Sequence, residues 1–463
     1  MEDSTTFRDS IATVDKQGKR RWIFAKQPSG RFYRIRTVLS IFYFIAFFSL
    51  PFISINGRPL FMLNVLEGKF ILFGFIFWPQ DFFIFGLAML AFILFIVLFT
   101  MAFGRLFCGW ACPQTIFMEM LFRRLEYWIE GSAAQQQQLA KAPWNTGKIL
   151  RKSAKHLVFY GLSFLIANIF LAYIIGAKAL GKIITGPFEA HTGGFIAILV
   201  FSGVFYGVYA FLREQVCTII CPYGRLQGVL LDKNSVIVAY DYNRGEPRGK
   251  YAKNGNHDKG DCIDCMQCVR VCPTGIDIRN GTQLECVSCT ACIDACDFMM
   301  EKTGRPRGLI RYASENGIAK KEQLHFTPRM KVYSAILALI LGAITFMLAS
   351  RKPVTGTIIR TAGMLYQERG TDSVSNLYRI KLINKTTAAI PLQLRLENAS
   401  GQIEMIGKPA ITVKAEGQGE GTFFIVLPRT EVHGRKSKIK VGLYQHNQPV
   451  ATLTTTFSGP VEQ

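Results

Sequence analysis

Apolar residues in this chain gather into long blocks, and only towards the end does the pattern change to short alternating runs. Thr37–Ile55, Asp81–Phe103, His156–Ile175, Gly194–Leu212 and Val332–Ala349 each approach the roughly 20 residues that a helix needs to cross a bilayer core. The pattern predicts five transmembrane helices. Phe70–Trp78 is apolar but too short to span and ends at Pro79, so it is expected to lie at the interface or dip in. Beyond Arg351, Asn376–Asn384, Pro391–Glu397, Gly421–Leu427, Ser437–Tyr444 and Val450–Phe457 alternate or cluster β-branched and aromatic residues between Gly, Asn and Pro. Short strands at that spacing predict a β-sandwich. Its only histidines are His433 and His446, no catalytic constellation is visible, and docking to a partner is the expected role.

Charge orients the spans. The chain is 49% hydrophobic, has 37 phenylalanines and carries a formal charge of +22. Long apolar blocks with many cations point to membrane lipid as a partner and away from nucleic acid. Lys19, Arg20, Arg21, Lys26, Arg31, Arg34 and Arg36 precede the first block. Arg105, Arg123, Arg124, Lys141, Lys148, Arg151, Lys152 and Lys155 follow the second. The loops after the first and third blocks hold only Arg58 and Lys69, and Lys178 and Lys182. Cations mark the cytoplasmic side, so the amino terminus is expected inside a bacterial inner membrane and the tail outside. Met1–Arg36 is polar and the first block is full length, so no cleavable signal peptide is expected.

This topology puts all twelve cysteines on the side where thiols stay reduced, and the tail has none. Eight of them read Cys262-x2-Cys265-x2-Cys268-x3-Cys272-Pro273 and Cys286-x2-Cys289-x2-Cys292-x3-Cys296. This is the bacterial ferredoxin ligand run written twice, and in two-cluster ferredoxins the fourth cysteine of each run serves the other cluster. The expected [4Fe-4S] ligand sets are Cys262, Cys265, Cys268 and Cys296, and Cys286, Cys289, Cys292 and Cys272. Structural zinc pairs two Cys-x2-Cys knuckles across a longer gap and fits poorly. Small residues Gly275, Gly281, Ala291 and Ala295 leave room for close backbone. Asp297 stands where the second run would usually have proline, so that turn must be made differently.

The other four cysteines lie in a tandem repeat of span, outer loop, span and Cys-x3-Cys-Pro. The copies are Arg105-Leu-Phe-Cys108-Gly-Trp-Ala-Cys112-Pro113 and Arg213-Glu-Gln-Val-Cys217-Thr-Ile-Ile-Cys221-Pro222. A helix would put both sulfurs of a copy on one face, and the proline suits the first turn of a following helix. These cysteines are candidate contacts for a soft metal ion, which thiolates favour, or ligands of a third cluster. The bland alternative is buried small residues. Ile116, Phe117, Met120, Leu121, Arg123, Arg124, Tyr127 and Trp128 suggest an amphipathic helix on the inner membrane surface. Gln135–Gln138 is a low-complexity linker, and Asp232–Asp261 an irregular entry to the ferredoxin module. The expected divisions are 1–36, 37–230, 231–330, 331–350 and 351–463.

These features resemble the FixG/RdxA/CcoG family, accessory proteins of cbb3-type cytochrome oxidase assembly. The resemblance rests on the paired Cys-x3-Cys-Pro motifs, Tyr240-Asp-Tyr-Asn-Arg-Gly-Glu-Pro-Arg248 before the ferredoxin runs, and Gly308-Leu-Ile-Arg-Tyr-Ala-Ser-Glu-Asn316 after them. A single span leading to an immunoglobulin-like tail completes it. It implies an oxidoreductase that reduces Cu(II) to Cu(I), with oxidase-assembly and copper-delivery proteins as partners; it names no electron donor. Two other readings compete: quinol oxidation, as in dehydrogenases resembling the NapH type, and a redox-silent assembly scaffold. Quinol chemistry would need proton acceptors such as His156, His191, Glu189 or Asp81, which flank spans and read more simply as interfacial residues.

Overall fold

The computed structural model describes residues 12–460 apart from 15–16, 56–57, 65–68, 73–74, 78–81, 188, 190, 251–258, 322–326, 351–352, 362–364, 371, 387, 408–409, 416 and 433. Asp81 and His433 therefore lie outside the described residues. The chain divides into two compact units, 1–342 and 343–463.

Five helices are long and apolar enough to cross a membrane. They include α1 (Arg31–Ser49), α2 (Phe82–Phe103), α3 (Thr146–Ile175) and α4 (Thr192–Gly207). Helix α5 (Ala291–Lys302) belongs to the ferredoxin module, and α6 (Pro328–Ala349) is the last span. Two boundaries differ from the hydropathy blocks because polar residues find tertiary partners. α1 starts at Arg31, and its Phe32 and Tyr33 amides donate to the Asp294 carboxylate at 3.0 and 2.8 Å. This side chain from α5 caps α1, an interaction worth about 1 kcal/mol. Gly30 permits the approach, because a Cβ there would fall 2.3 Å from the Asp294 Cγ. α3 begins ten residues before the apolar block, with Asn145 capping it through the Lys148 amide at 2.8 Å.

The bundle core is aromatic. Phe44 and Phe47 of α1, Phe117, Phe122, Phe159 of α3 and Tyr209 pack together. Phe122 stacks on Tyr209 at 4.3 Å and meets Phe159 edge-on at 5.0 Å. Such pairs add about 0.5–1.5 kcal/mol each beyond burial. Phe117–Phe122 forms a π-turn inside this core, between Pro113–Ile116 and Arg123–Glu130. The expectation of a surface-lying helix here is corrected: Ile116, Phe117, Met120 and Arg123 are all buried. Gln135–Gln138 is likewise helix and not linker, within Ala133–Lys141, where Ser132 and Gln135 form a capping box. The short apolar stretch in the first outer loop contributes Lys69–Leu72 and Phe75–Phe77 to a three-stranded antiparallel sheet with Phe61–Asn64.

The segment expected to be irregular holds a strand. β1 (Ile237–Tyr240) pairs with β2 (Ile310–Ala313), closing the ferredoxin module. The pairing brings together the two motifs that flank the cysteine runs. Arg311 bonds Asp241 at 2.6 Å, Asn243 donates to the Ile318 carbonyl at 2.7 Å, and Arg244 pairs with Asp261.

The second unit is a sandwich of two antiparallel sheets. Its strands are β3 (Val354–Arg360), β4 (Gln367–Arg369), β5 (Ser373–Asn384), β6 (Ile390–Leu396), β7 (Gln402–Ile406), β8 (Ile411–Val413), β9 (Gln418–Pro428), β10 (Ser437–Gln445) and β11 (Gln448–Phe457). One sheet runs β7-β9-β5-β3, with β4 also on β5; the other runs β8-β6-β10-β11. Alternate residues of both sheets, among them Tyr378, Ile380, Phe423, Ile425, Val441 and Leu443, make the core. Tyr378 and Phe423 are register partners on β5 and β9, and their rings stack at 5.7 Å. β3, β4, β7 and β8 are strands that the alternation did not reveal.

Candidate metal centres

Each ferredoxin run bends sharply around its first three cysteines. Asp264 and Met266 in the first run, and Ser288 and Thr290 in the second, all have positive φ, between 53° and 65°. They occupy the same two places in each run. Left-handed residues alternating with right-handed ones turn successive amides inward, the concavity that holds iron–sulfur clusters. None of the four is glycine, so composition gave no sign of them. Gly275 and Gly281 also have positive φ. After Cys296 no turn is made: α5 continues through Asp297, whose Oδ1 accepts from the Gly308 amide at 2.9 Å.

The two runs line two small apolar cavities. Cys262, Cys265, Cys268 and Cys296 line one, with Met299, Leu309 and Ile310. Cys272, Cys286, Cys289 and Cys292 line the other, with Cys268 at its border. Cys296 thus faces the first run and Cys272 faces the second. Burial, reinforced by neighbouring thiols, pushes the Cys286 thiol up to about 11 and Cys268 and Cys289 up to about 12. Thiols held this high become thiolates at neutral pH only when a metal displaces the proton.

Two buried cations bond backbone carbonyls of the second run. Arg36 donates from Nη1 to the Cys289 carbonyl and from Nε to the Gly109 carbonyl, each at 3.1 Å. Arg105 donates to the carbonyls of Leu284, Cys286 (3.4 Å) and Gly224 (2.9 Å). Arg36 Nη2 and Arg105 Nε are buried without a hydrogen-bond partner. Two cations with spare donors beside a ring of four thiols fit an anionic cluster.

Two of the membrane-side cysteines pack with residues that line the same cavity. Cys108 and Cys217 pack in one cluster with Cys289, Val271, Val287 and Ala291. Gly109 is pressed onto the second run, where a Cβ would meet the Ser288 and Val287 carbonyl oxygens at 2.6 Å. The two repeats also meet each other through Arg105 and Gly224. Cys108 donates to Gln227 Oε1 at 3.0 Å. Burial raises the Cys108 thiol to about 11, with Cys112 and Cys221 adding to it, and raises Cys217 to about 12, with Cys112, Cys108 and Cys221 adding. All four cysteines are therefore electrostatic neighbours. Neither copy is one helix, contrary to the spacing argument. Leu106–Trp110 ends before Cys112, and both Cys112 and Cys221 are extended N-cap residues followed by proline in the first turn. Among the described residues no three His, Cys, Asp or Glu side chains meet in the geometry of a single metal ion. None of the twelve cysteines is disulfide-bonded.

Beneath the motifs lies a buried ion network that composition did not announce. Arg213 grips Glu126 with both terminal nitrogens at 3.0 and 2.8 Å, and Lys155 bonds the same carboxylate at 2.6 Å. Of the residues considered for quinol chemistry, His156 Nδ1 meets the Tyr206 hydroxyl at 2.8 Å, and His191 is the N-cap of α4. Glu189 sits just before that cap, its carbonyl 3.4 Å from the Thr192 hydroxyl.

Known proteins resemble this chain in sequence. Residues 212–315 match the family model of a 4Fe-4S dicluster domain, 85–131 that of a 4Fe-4S binding domain, and 344–460 the IG-like fold at the C-terminal of FixG. The nitrogen fixation protein FixG of Rhizobium meliloti is 32% identical over 445 residues, 87% of this chain and 82% of FixG. Protein RdxA of Cereibacter sphaeroides is 32% identical over 419 residues, 86% of this chain and 88% of RdxA. A crystal structure of a FixG-related protein from Vibrio parahaemolyticus covers 23% of this chain and 97% of its own, at 19% identity and a TM-score of 0.20. The chain is a membrane-bound iron–sulfur electron-transfer protein with two [4Fe-4S] clusters, and it belongs to the FixG/RdxA family.

Proposed function

We propose that this protein reduces Cu(II) to Cu(I) for assembly of a cbb3-type cytochrome oxidase, with oxidase-assembly and copper-delivery proteins as partners. The observation that carries this reading is that Cys108 and Cys217 pack in one hydrophobic cluster with Cys289 of the second ferredoxin run. Cys262, Cys265, Cys268 and Cys296 hold one cluster, and Cys286, Cys289, Cys292 and Cys272 the other. When bound, each supplies one-electron chemistry, at a potential that the protein can set anywhere between roughly −700 and +450 mV. Copper reduction consumes one electron per ion, so the stoichiometry matches. Cys108, Cys112, Cys217 and Cys221 offer soft sulfur to the Cu(I) product. Gly109 and Arg36 hold these thiols against the second run. The charge pattern puts the ferredoxin module on the cytoplasmic side of the inner membrane and the sandwich on the periplasmic side.

The test replaces Cys108, Cys112, Cys217 and Cys221 with Ser. Anaerobically purified protein is assayed for iron and sulfide, reduced with dithionite, and mixed with Cu(II) in a stopped-flow instrument. Both ferredoxin clusters should assemble, and reoxidation by Cu(II) should slow at least about tenfold, or about 1.4 kcal/mol in barrier. Rates and copper stoichiometry equal to wild type would remove the copper role. The match of 85–131 to a 4Fe-4S binding domain favours a second reading, in which the four cysteines hold a further cluster. In that case the variant loses about four irons, the content of one cube, and binds copper as wild type does.

A further inference from the structure

The two cavities differ in the charge around them. Arg279 lines the first, but its charge is met by Asp277 Oδ2 at 2.6 Å and Asp264 Oδ1 at 2.5 Å. Asp297 adds a negative charge beside Cys296. The Tyr240 hydroxyl, also in this lining, donates a hydrogen bond to Glu246 Oε1 at 3.1 Å. The surroundings of the first cavity are therefore net negative, and Met266 opens one side of it to solvent.

Among the described residues no carboxylate lines the second cavity. Arg36 and Arg105 are 5% and 3% exposed, and both engage backbone carbonyls of the second run. Both donate to backbone carbonyls, and among the described residues neither forms an ion pair with a carboxylate. Their charges act on the thiols of Cys289 and Cys286 respectively. The Thr274 hydroxyl adds a contact to the Cys272 sulfur at 3.4 Å.

Net charge, hydrogen bonds to sulfur and exposure set cluster potentials. Reduction adds one negative charge, which two desolvated cations attract far more strongly than surface cations do. We infer that Arg36 and Arg105 are potential-setting residues that make the centre beside the membrane cysteines the more easily reduced of the two. Both arginines come from the membrane domain, Arg36 from α1 and Arg105 from the link between α2 and the first Cys-x3-Cys copy. Docking of that domain therefore sets the order in which the two centres fill. This inference rests on the two ligand sets proposed above.

The experiment is an EPR-monitored redox titration of the full-length protein in detergent, with iron and sulfide counted first. Proteins lacking Cys265 or Cys289 assign the two signals. Arg36→Gln and Arg105→Gln should each lower the potential of the Cys289 centre and leave the Cys265 centre unmoved. The equilibrium between the centres should shift about tenfold or more, which for one electron is 59 mV. Arg36→Lys and Arg105→Lys, which keep the charge and lose the fork, should restore most of the shift. Arg279→Gln should move only the Cys265 centre. Unchanged potentials, equal movement of both centres, or Lys and Gln variants that behave alike would overturn the inference while the clusters stand. Wild-type protein without two clusters would overturn the ligand assignment itself.

Discussion

Gly109 stands where the first Cys-x3-Cys copy touches the second ferredoxin run, and Gly109→Ala tests that contact directly. The new methyl would meet the carbonyl oxygens of Ser288 and Val287 at 2.6 Å. Carbon–oxygen contacts relax at about 3.3 Å, so the two backbones must part by roughly 0.7 Å. Neither oxygen belongs to a side chain that could rotate away. Arg36 bonds the Gly109 and Cys289 carbonyls together and resists the separation. Gly109 lies within Leu106–Trp110, so alanine itself would favour the local helix by about 0.5–1 kcal/mol. Overpacking costs about 1–3 kcal/mol. The expected balance is a loss of about 1–2 kcal/mol, read by thermal unfolding in detergent. Reoxidation by Cu(II) should slow as well, because the thiols of the two regions move apart. Gly203→Ala is the matched control: it sits in α4 with nothing within 4 Å of its Cβ position and should be neutral or stabilising. A Gly109→Ala protein with wild-type melting temperature and wild-type reoxidation rate would refute the contact and the argument built on it.

Cys296→Ala should abolish the EPR signal assigned to Cys262, Cys265 and Cys268, and Cys272→Ala the other signal; loss of the sequence-local signal in each would reverse the pairing. Burial alone would raise the Glu126 carboxyl, but Arg213 and Lys155 outweigh it and hold it near about 2, against an ordinary 4.5. That depression corresponds to about 3 kcal/mol of stability, fully present above pH 4.5 and lost as pH falls towards 2. Glu126→Gln leaves Arg213 only the longer contact to Glu214 at 3.7 Å and Lys155 only that to Glu130 at 3.5 Å, and should cost about 3 kcal/mol at neutral pH in a chemical or thermal melt, with less acid sensitivity than wild type; an unchanged melt would show the network to be dispensable. Reporter fusions after Leu212 and after Arg351 should report opposite compartments, and a shared compartment would remove the last span.

What the sequence determined by itself is what depends on near neighbours. The triplet-plus-one spacing of cysteines is a local constraint, because three ligands of a cube come from one tight loop, and it identified both runs. Five spans were legible because a bilayer requires an unbroken apolar length whatever surrounds it. Pro113 and Pro222 open the helices that follow the Cys-x3-Cys copies, since proline at a first turn is also a local matter. Tertiary contacts decided the rest. Arg36 and Arg105 read as topology markers beside spans, yet both are buried against a ferredoxin loop nearly two hundred residues or more away. Arg123 read as the polar face of a surface helix, yet Glu214 of the second motif lets it be buried, as cations from α3 and the second motif do for Glu126. β1 and β2 are four residues each and find their partners across more than sixty intervening positions, so alternation within either could not announce the pair. Asp264, Met266, Ser288 and Thr290 adopt left-handed backbone because the loop must close around its centre, and no glycine marks the places. Hydropathy and spacing report what a residue requires of its surroundings; which distant charge or carbonyl meets that requirement is settled only when the chain has folded.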